Sequence, residues 1–390
     1  MIEKIRRMNG LFVMLFTMFL LGGISNTKGI VLAEVKHTLD FDLAHFGLVV
    51  FFFQWGFVLA SLIWGYYSDK RGIKAMTMLG TILMGFGLLG TGLSPTITLF
   101  LSFYTVVGFG LGGMTVASNA VVPAIYPKKQ GMMFNIAMGI YGIGMFVTPL
   151  ILRALFKAEI SWRYFYIGIV FILFIFLIYL IFSKIPSGKI DKISLKAFST
   201  MLKEKQFLMV MLFMIFYVST EVTFLNFLPN YIYSLPIENA TLSDKRILIT
   251  AVLSIFSILF TLGRFLGGYI NKLFGEKRTL MLFSFLALIS VAVSKFFALN
   301  WIYLFSISGF FLSVLFPTAT GMGTKISQTA GSALGLVYVA SGIGGAAAGW
   351  LVGLVSQKLG ADAGFNFPIY FLVILFIISC CFKGQKKPIK

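Results

Sequence analysis

The chain reads as an all-α membrane protein with twelve transmembrane helices arranged as two six-helix bundles. Three observations predict this. Only 12% of its 390 residues are charged while 58% are hydrophobic, about half the charge a soluble domain carries. Apolar runs of about 20 residues, long enough to cross a bilayer, recur along the whole length. A polar loop after the second run has a degraded copy after the eighth.

The spans are predicted at 10–36, 43–67, 73–93, 97–126, 131–157, 162–183, 207–233, 246–273, 279–299, 301–323, 331–358 and 364–382. Lys4, Arg6 and Arg7 followed by an apolar stretch resemble a signal peptide, but the run continues past Ile24 without a small-residue cleavage site. An uncleaved first span is therefore expected. The longest polar interruption, 184–206, carries Lys184, Lys189, Lys192, Lys196, Lys203 and Lys205. It divides the chain into a first bundle over 1–183, a linker over 184–206 and a second bundle over 207–390.

The net charge of +19 needs a topological reading. Most Lys and Arg fall at the N-terminus, in 68–74, 127–130, the central linker, 272–278 and the tail, all on one side of the predicted membrane. Cations collect on the cytoplasmic side, so both termini and the linker are expected there. This is the pattern of a multi-pass membrane protein, expected in a bacterial inner or cell membrane, and it leaves no basic face for nucleic acid. The two cysteines, Cys380 and Cys381, are adjacent in an apolar run, and His37 and His45 are the only histidines. No metal site, disulfide framework or cofactor is expected. The spans contain no constellation of paired acids or histidines of the kind an enzyme needs.

Charges inside spans are costly and usually face a cavity or a partner. Glu221 lies near the middle of the seventh span and admits two roles, a proton carrier or one member of a structural ion pair. Lys28, in the first span, admits three: a cation for an anionic solute, a switching partner for Glu221, or a side chain snorkelling to the interface. Arg264, in the eighth span, suits either a bidentate carboxylate or phosphate contact or a place in a gate. Asn26, Gln54, Thr115, Asn119, Asn135, Tyr141 and Asn226 are polar positions that suit a solute-binding cavity or interhelical hydrogen bonds. Trp55 and Tyr217 suit stacking on a sugar ring or plain aromatic packing.

Several motifs carry no chemistry here. GFGLGG at 108–113 fits G-x-G-x-x-G, but it lies within an apolar span with no strand before it, so it reads as helix packing. GGAAAGWLVG at 344–353 reads the same way. No nucleotide-binding loop is found, which argues against an ATP-driven pump.

The two halves repeat. Residues 65–74 read GYYSDKRGIK and residues 268–277 read GYINKLFGEK, which aligns Gly65, Asp69 and Gly72 with Gly268, Lys272 and Gly275. The first copy resembles the signature loop of the major facilitator superfamily, Gly-x-x-x-Asp-[Lys/Arg]-x-Gly-x-[Lys/Arg]. It departs from that pattern at Ile73, and the second copy departs at Lys272. The resemblance implies secondary active transport by alternating access, with a single chain sufficing. It also implies a gating role for Gly65, Asp69, Lys70, Arg71, Gly72 and Lys74, and Arg264 is grouped with that gate. YVSTEVTFLNFLPNY (217–231), FTLGRFLGG (260–268) and LFPTATGMG (315–323) resemble the fucose–proton symporter family. That likeness implies a small polar solute, a sugar first, with Glu221 coupling its movement to protons. The acids of that family in helices 1 and 4 would fall near Ile30 and Thr115 and are absent. ISWRY (160–164) resembles organic-anion carriers, which implies an alternative in which Lys28 and Arg264 anchor an anion. A drug or metabolite exporter is a third reading; GIYGIGMFVTPL (139–150) partly resembles its helix 5 motif. Lys28, Asn26, Gln54, Thr115, Asn119, Tyr141 and Asn226 are the expected solute contacts.

Overall fold

A computed structural model describes residues 2–119, 121–126, 130–185, 201–237, 241–297, 301–326 and 330–382. Thirteen helices are described: α1 Ile2–Leu39, α2 Leu43–Leu93, α3 Ile97–Asn119, α4 Val121–Ile125, α5 Gln130–Lys157, α6 Trp162–Phe182, α7 Lys205–Ser234, α8 Leu242–Phe274, α9 Glu276–Phe296, α10 Leu304–Ile326, α11 Ala330–Leu359, α12 Ala361–Gly364 and α13 Phe367–Cys381. Among the described residues, twelve stretches are long and apolar enough to cross a membrane. The protein is thus an integral, multi-pass membrane protein.

Local chemistry sets the helix ends. Asp42 caps α2 by accepting from the His45 N–H at 2.8 Å. Burial alone would raise its carboxyl, but the His45 donors outweigh that and hold it below the ordinary carboxylate value. Thr241 opens α8 with a capping box, its hydroxyl accepting from the Asp244 N–H while Asp244 accepts from the Thr241 N–H. This start lies four residues before the expected one at 246. The expected 65–74 loop is also shorter than predicted. Helix runs up to and away from it, and the break is concentrated at Gly72, with φ +82° and ψ 156°. Only glycine adopts that backbone without strain. Gly275 takes the same place in the second half, with φ +78° between α8 and α9, so the internal repeat survives as two equivalent glycine turns. The single span expected over 97–126 is α3 followed by the short α4.

The first bundle packs α2 against α3 and α6, and α1 against α5. The second packs α8 against α10, α9 against α10, and α7 against α11 and α13. The bundles meet along α2–α11, α5–α8 and α1–α7. Close approach there depends on glycine. A Cβ on Gly47 would lie 2.5 Å from the Gly349 carbonyl oxygen and 2.7 Å from the Gly353 Cα. Gly29 likewise packs directly on the backbone of Leu225 and Asn226.

Some of these contacts lie toward the face opposite the termini. There Phe46 packs on Phe227 with ring centroids 5.0 Å apart, and the Leu43 N–H donates to Gln357 Oε1 at 2.9 Å. Toward the terminal face, the small apolar clusters stay within one bundle. Met14, Met18, Val122, Met133 and Ala137 form one; Met201, Phe207, Ala333 and Leu336 form another.

Candidate functional site: a charged cavity between the halves

A cavity lies between the halves. α1, α2, α3 and α5 supply one wall, and α7, α8, α10 and α11 the other. Each wall contributes charge: Lys28 from α1 on one side, Glu221 from α7 and Arg264 from α8 on the other. Gln54, Thr115, Asn119, Tyr141 and Asn226 also line it. Phe53, Phe57, Phe316 and Tyr338 supply apolar surface.

Neither cation forms an ion pair within 4.0 Å among the described residues. Lys28 is only 4% exposed, so it does not snorkel out of the membrane interior. Its Nζ sits 4.3 Å above the Phe53 ring, a cation–π contact that partly offsets lost hydration. The Arg264 guanidinium lies between two rings, 4.8 Å from the Phe260 centroid and 5.5 Å from that of Phe316. Its Nε and one terminal nitrogen are buried with no hydrogen-bond acceptor. Buried guanidinium donors left unmatched are costly, so an acceptor arriving in the cavity is favoured.

Glu221 makes no ion pair within 4.0 Å. The pairs among the described residues are Arg7–Glu3, His45–Asp42, Arg246–Glu34, Lys295–Asp362 and Lys325–Glu276. Glu221 interacts through space with both cavity cations, more strongly with Arg264 than with Lys28. Two basic side chains and one carboxyl group therefore share the space.

Neutral groups complete the lining. Asn226 Nδ2 donates to its own helix at the Val222 carbonyl, 2.6 Å away, and leaves its Oδ1 buried without a partner. Asn119 Oδ1 is unpartnered in the same way. Thr115 spends its hydroxyl on the Leu111 carbonyl, 2.8 Å away. The Asn26 and Asn135 side chains lie outside the described residues, as do those of Gly65, Asp69, Lys70 and Arg71.

Two expected placements differ in the structure. Arg264, grouped with the gate loop, lines the central cavity instead, because α8 carries it well before the Gly275 turn. Lys74 donates to the Ile181 and Ser183 carbonyls at 2.8 and 2.9 Å, so it fastens α2 to the end of α6 within one bundle. Trp55 and Tyr217 do not line the cavity. Trp55 packs beside Phe51 at 6.1 Å, and the fully buried Tyr217 beside Phe316 at 5.7 Å. The sequence reading passed over Ser25, Phe316, Tyr338 and Ser341, which also line the cavity. Nothing in the apolar and glycine-rich runs around them marks the inward face. It also passed over Glu34 and Lys295, buried charges inside predicted spans, although a charge in an apolar run is itself a signal.

Comparison with known proteins agrees with this architecture. The chain is 29% identical over 136 residues to the uncharacterized MFS-type transporter YhjX of Escherichia coli (strain K12), covering 33% of this chain and 32% of that protein. It is 25% identical over 125 residues to human organic anion transporter 3, covering 32% of this chain and 22% of that one. These matches span a third or less of the relatives' lengths. Among solved structures, the E. coli fucose:proton symporter FucP superposes with a TM-score of 0.67 at 18% identity, over 97% of this chain and 100% of that one. The family model of the Major Facilitator Superfamily matches residues 13–349 and 222–390. The two bundles, the paired glycine turns and the cavity between them are those of a transporter, and the chain belongs to the Major Facilitator Superfamily.

Proposed function

We propose that this transporter carries a small organic anion bearing a carboxylate, held between Lys28 and Arg264, with Glu221 exchanging a proton during the cycle. The observation that carries this reading is the Arg264 guanidinium, buried in the cavity wall with two nitrogens unmatched. Each of these nitrogens can donate a charge-assisted hydrogen bond to a carboxylate oxygen. Lys28 faces it from the other bundle, so a bound anion bridges both halves. Phe53, Phe57 and Phe316 would cover the apolar part of the solute.

Alternating access would rock the bundles 1–183 and 207–390 about this midplane site. The excess of cations at the terminal face supports a cytoplasmic location for both termini and for the 184–206 linker. The loop from Gly65 to Lys74 would then close the cytoplasmic side, and one chain suffices for the cycle.

The second reading is a sugar moved with a proton. The neutral acceptors Asn119 and Asn226, together with Gln54, favour it, as does the fold shared with FucP. Against it, Trp55 and Tyr217, the expected stacking platforms, lie outside the cavity lining. Proteoliposomes separate the two readings. The anion reading expects counterflow of labelled mono- or dicarboxylates and none of hexoses or pentoses. Sugar uptake driven by an imposed pH gradient, without carboxylate counterflow, would overturn it.

A further inference from the structure

Beyond the cavity, near the face opposite the termini, a carboxylate of the first bundle is held by groups of the second. Glu34 on α1 is 5% exposed. Arg246 on α8 grips both its oxygens, with Nε donating to Oε1 at 3.0 Å and a terminal nitrogen to Oε2 at 2.6 Å. The Tyr233 hydroxyl, at the end of α7, donates to Oε1 at 2.5 Å. Neighbouring groups hold this arrangement in place. Lys245 donates to the Tyr233 and Leu235 carbonyls at 2.8 and 2.7 Å and so fixes the end of α7. The Arg246 guanidinium also lies 5.8 Å from the Phe156 ring on α5.

The location distinguishes this pair. The other four ion pairs among the described residues each join groups within one bundle. Glu34–Arg246 crosses between bundles. A buried ion pair contributes little net stability compared with apolar packing, because desolvation offsets most of the attraction. That makes it a poor permanent fastener. The same property suits a contact that must come apart, since separated halves return both charges to water and recover their hydration. A wholly apolar seam would regain nothing on opening.

We infer that Glu34, Arg246 and Tyr233 form the lock of the gate opposite the termini, made when that side closes and broken once in each transport cycle. They act as positioning residues that set the balance between the two states, and none of them touches the cavity. The inference rests on the alternating-access reading above and is independent of which solute is carried.

The test is access to the cavity from the far face. In a background of Cys380→Ser and Cys381→Ser, which removes both native thiols, Ser341→Cys places one reporter thiol in the cavity wall. A membrane-impermeant maleimide is added from the face opposite the termini to sealed vesicles of known orientation. Glu34→Gln and Arg246→Gln should each speed labelling by roughly tenfold or more, as expected when an equilibrium loses a contact made in one state only. Tyr233→Phe should give a smaller rise. The double variant Glu34→Arg with Arg246→Glu should return labelling toward the parental rate. Without the reporter, the single variants should alter the maximal transport rate and leave substrate affinity within about twofold.

Parental labelling rates in both single variants would overturn the lock. So would a charge-swapped variant that labels as fast as the singles. If a single variant does not insert, Tyr233→Phe carries the test, because it keeps the charges paired, and unchanged labelling in it overturns the inference. Failure of carboxylate counterflow would overturn the substrate reading and leave these labelling rates as they are.

Discussion

Replacing Arg264 with glutamine is the sharpest test of the cavity. Gln keeps much of the length and hydrogen-bonding character but removes the charge and the fork. In the wild-type cavity Arg264 has two buried nitrogens with no acceptor, held between Phe260 and Phe316. A carboxylate filling that place would make charge-assisted hydrogen bonds, worth about 1.5–3 kcal/mol each. At about 1.4 kcal/mol per factor of ten, loss of one such bond weakens binding roughly tenfold to a hundredfold. Arg264→Lys keeps the charge and loses the planar guanidinium donors, so it should fall between the two. The assay is counterflow of labelled carboxylates across proteoliposomes, with apparent affinity measured for the parent and both variants. Equal affinity in all three would refute the reasoning, since the guanidinium would then contact no part of the solute.

Other perturbations follow from the same geometry. Lys28→Gln should lose anion counterflow to a similar extent, because its ammonium faces the same cavity from the opposite bundle; undiminished counterflow would remove Lys28 from the site. Glu221→Gln should abolish uptake driven by a pH gradient and spare counterflow, and a variant changed in neither marks Glu221 as structural. Gly47→Leu places atoms where the Gly349 and Gly353 backbones now lie. It should hold the far side open, seen as faster labelling of a cavity thiol from that face, and labelling at the parental rate would contradict the described seam. Gly72→Ala forces a side chain into a backbone with φ +82° and should cost about 1–3 kcal/mol, read as a lower melting temperature in detergent.

Much of the fold was legible because the membrane imposes a one-dimensional rule. Any segment crossing hydrocarbon must satisfy its backbone internally and present apolar side chains, so spans appear as runs in the sequence. The repeat was legible for a related reason. Gly72 and Gly275 occupy turns that only glycine tolerates, and the flanking residues carried the match. The cavity was partly legible. Lys28, Glu221 and Arg264 stood out as charges in apolar runs, and all three line it. Their grouping was not legible, because facing residues come from helices far apart in sequence. Arg264 was grouped with a gate for that reason.

The amino-acid order by itself determined the solvent of this protein, the number of crossings, the division into two related bundles and three of the costly charges, Lys28, Glu221 and Arg264. Each follows from local composition or local backbone geometry. Only the tertiary structure decided which charges share a space and which charges pair. Among the described residues Lys28 and Arg264 form no ion pair, whereas Glu34 is matched by Arg246 across the seam. Coulombic and hydrogen-bonding partners act over a few ångströms, and that proximity is created between α1, α7 and α8 only when the bundles dock.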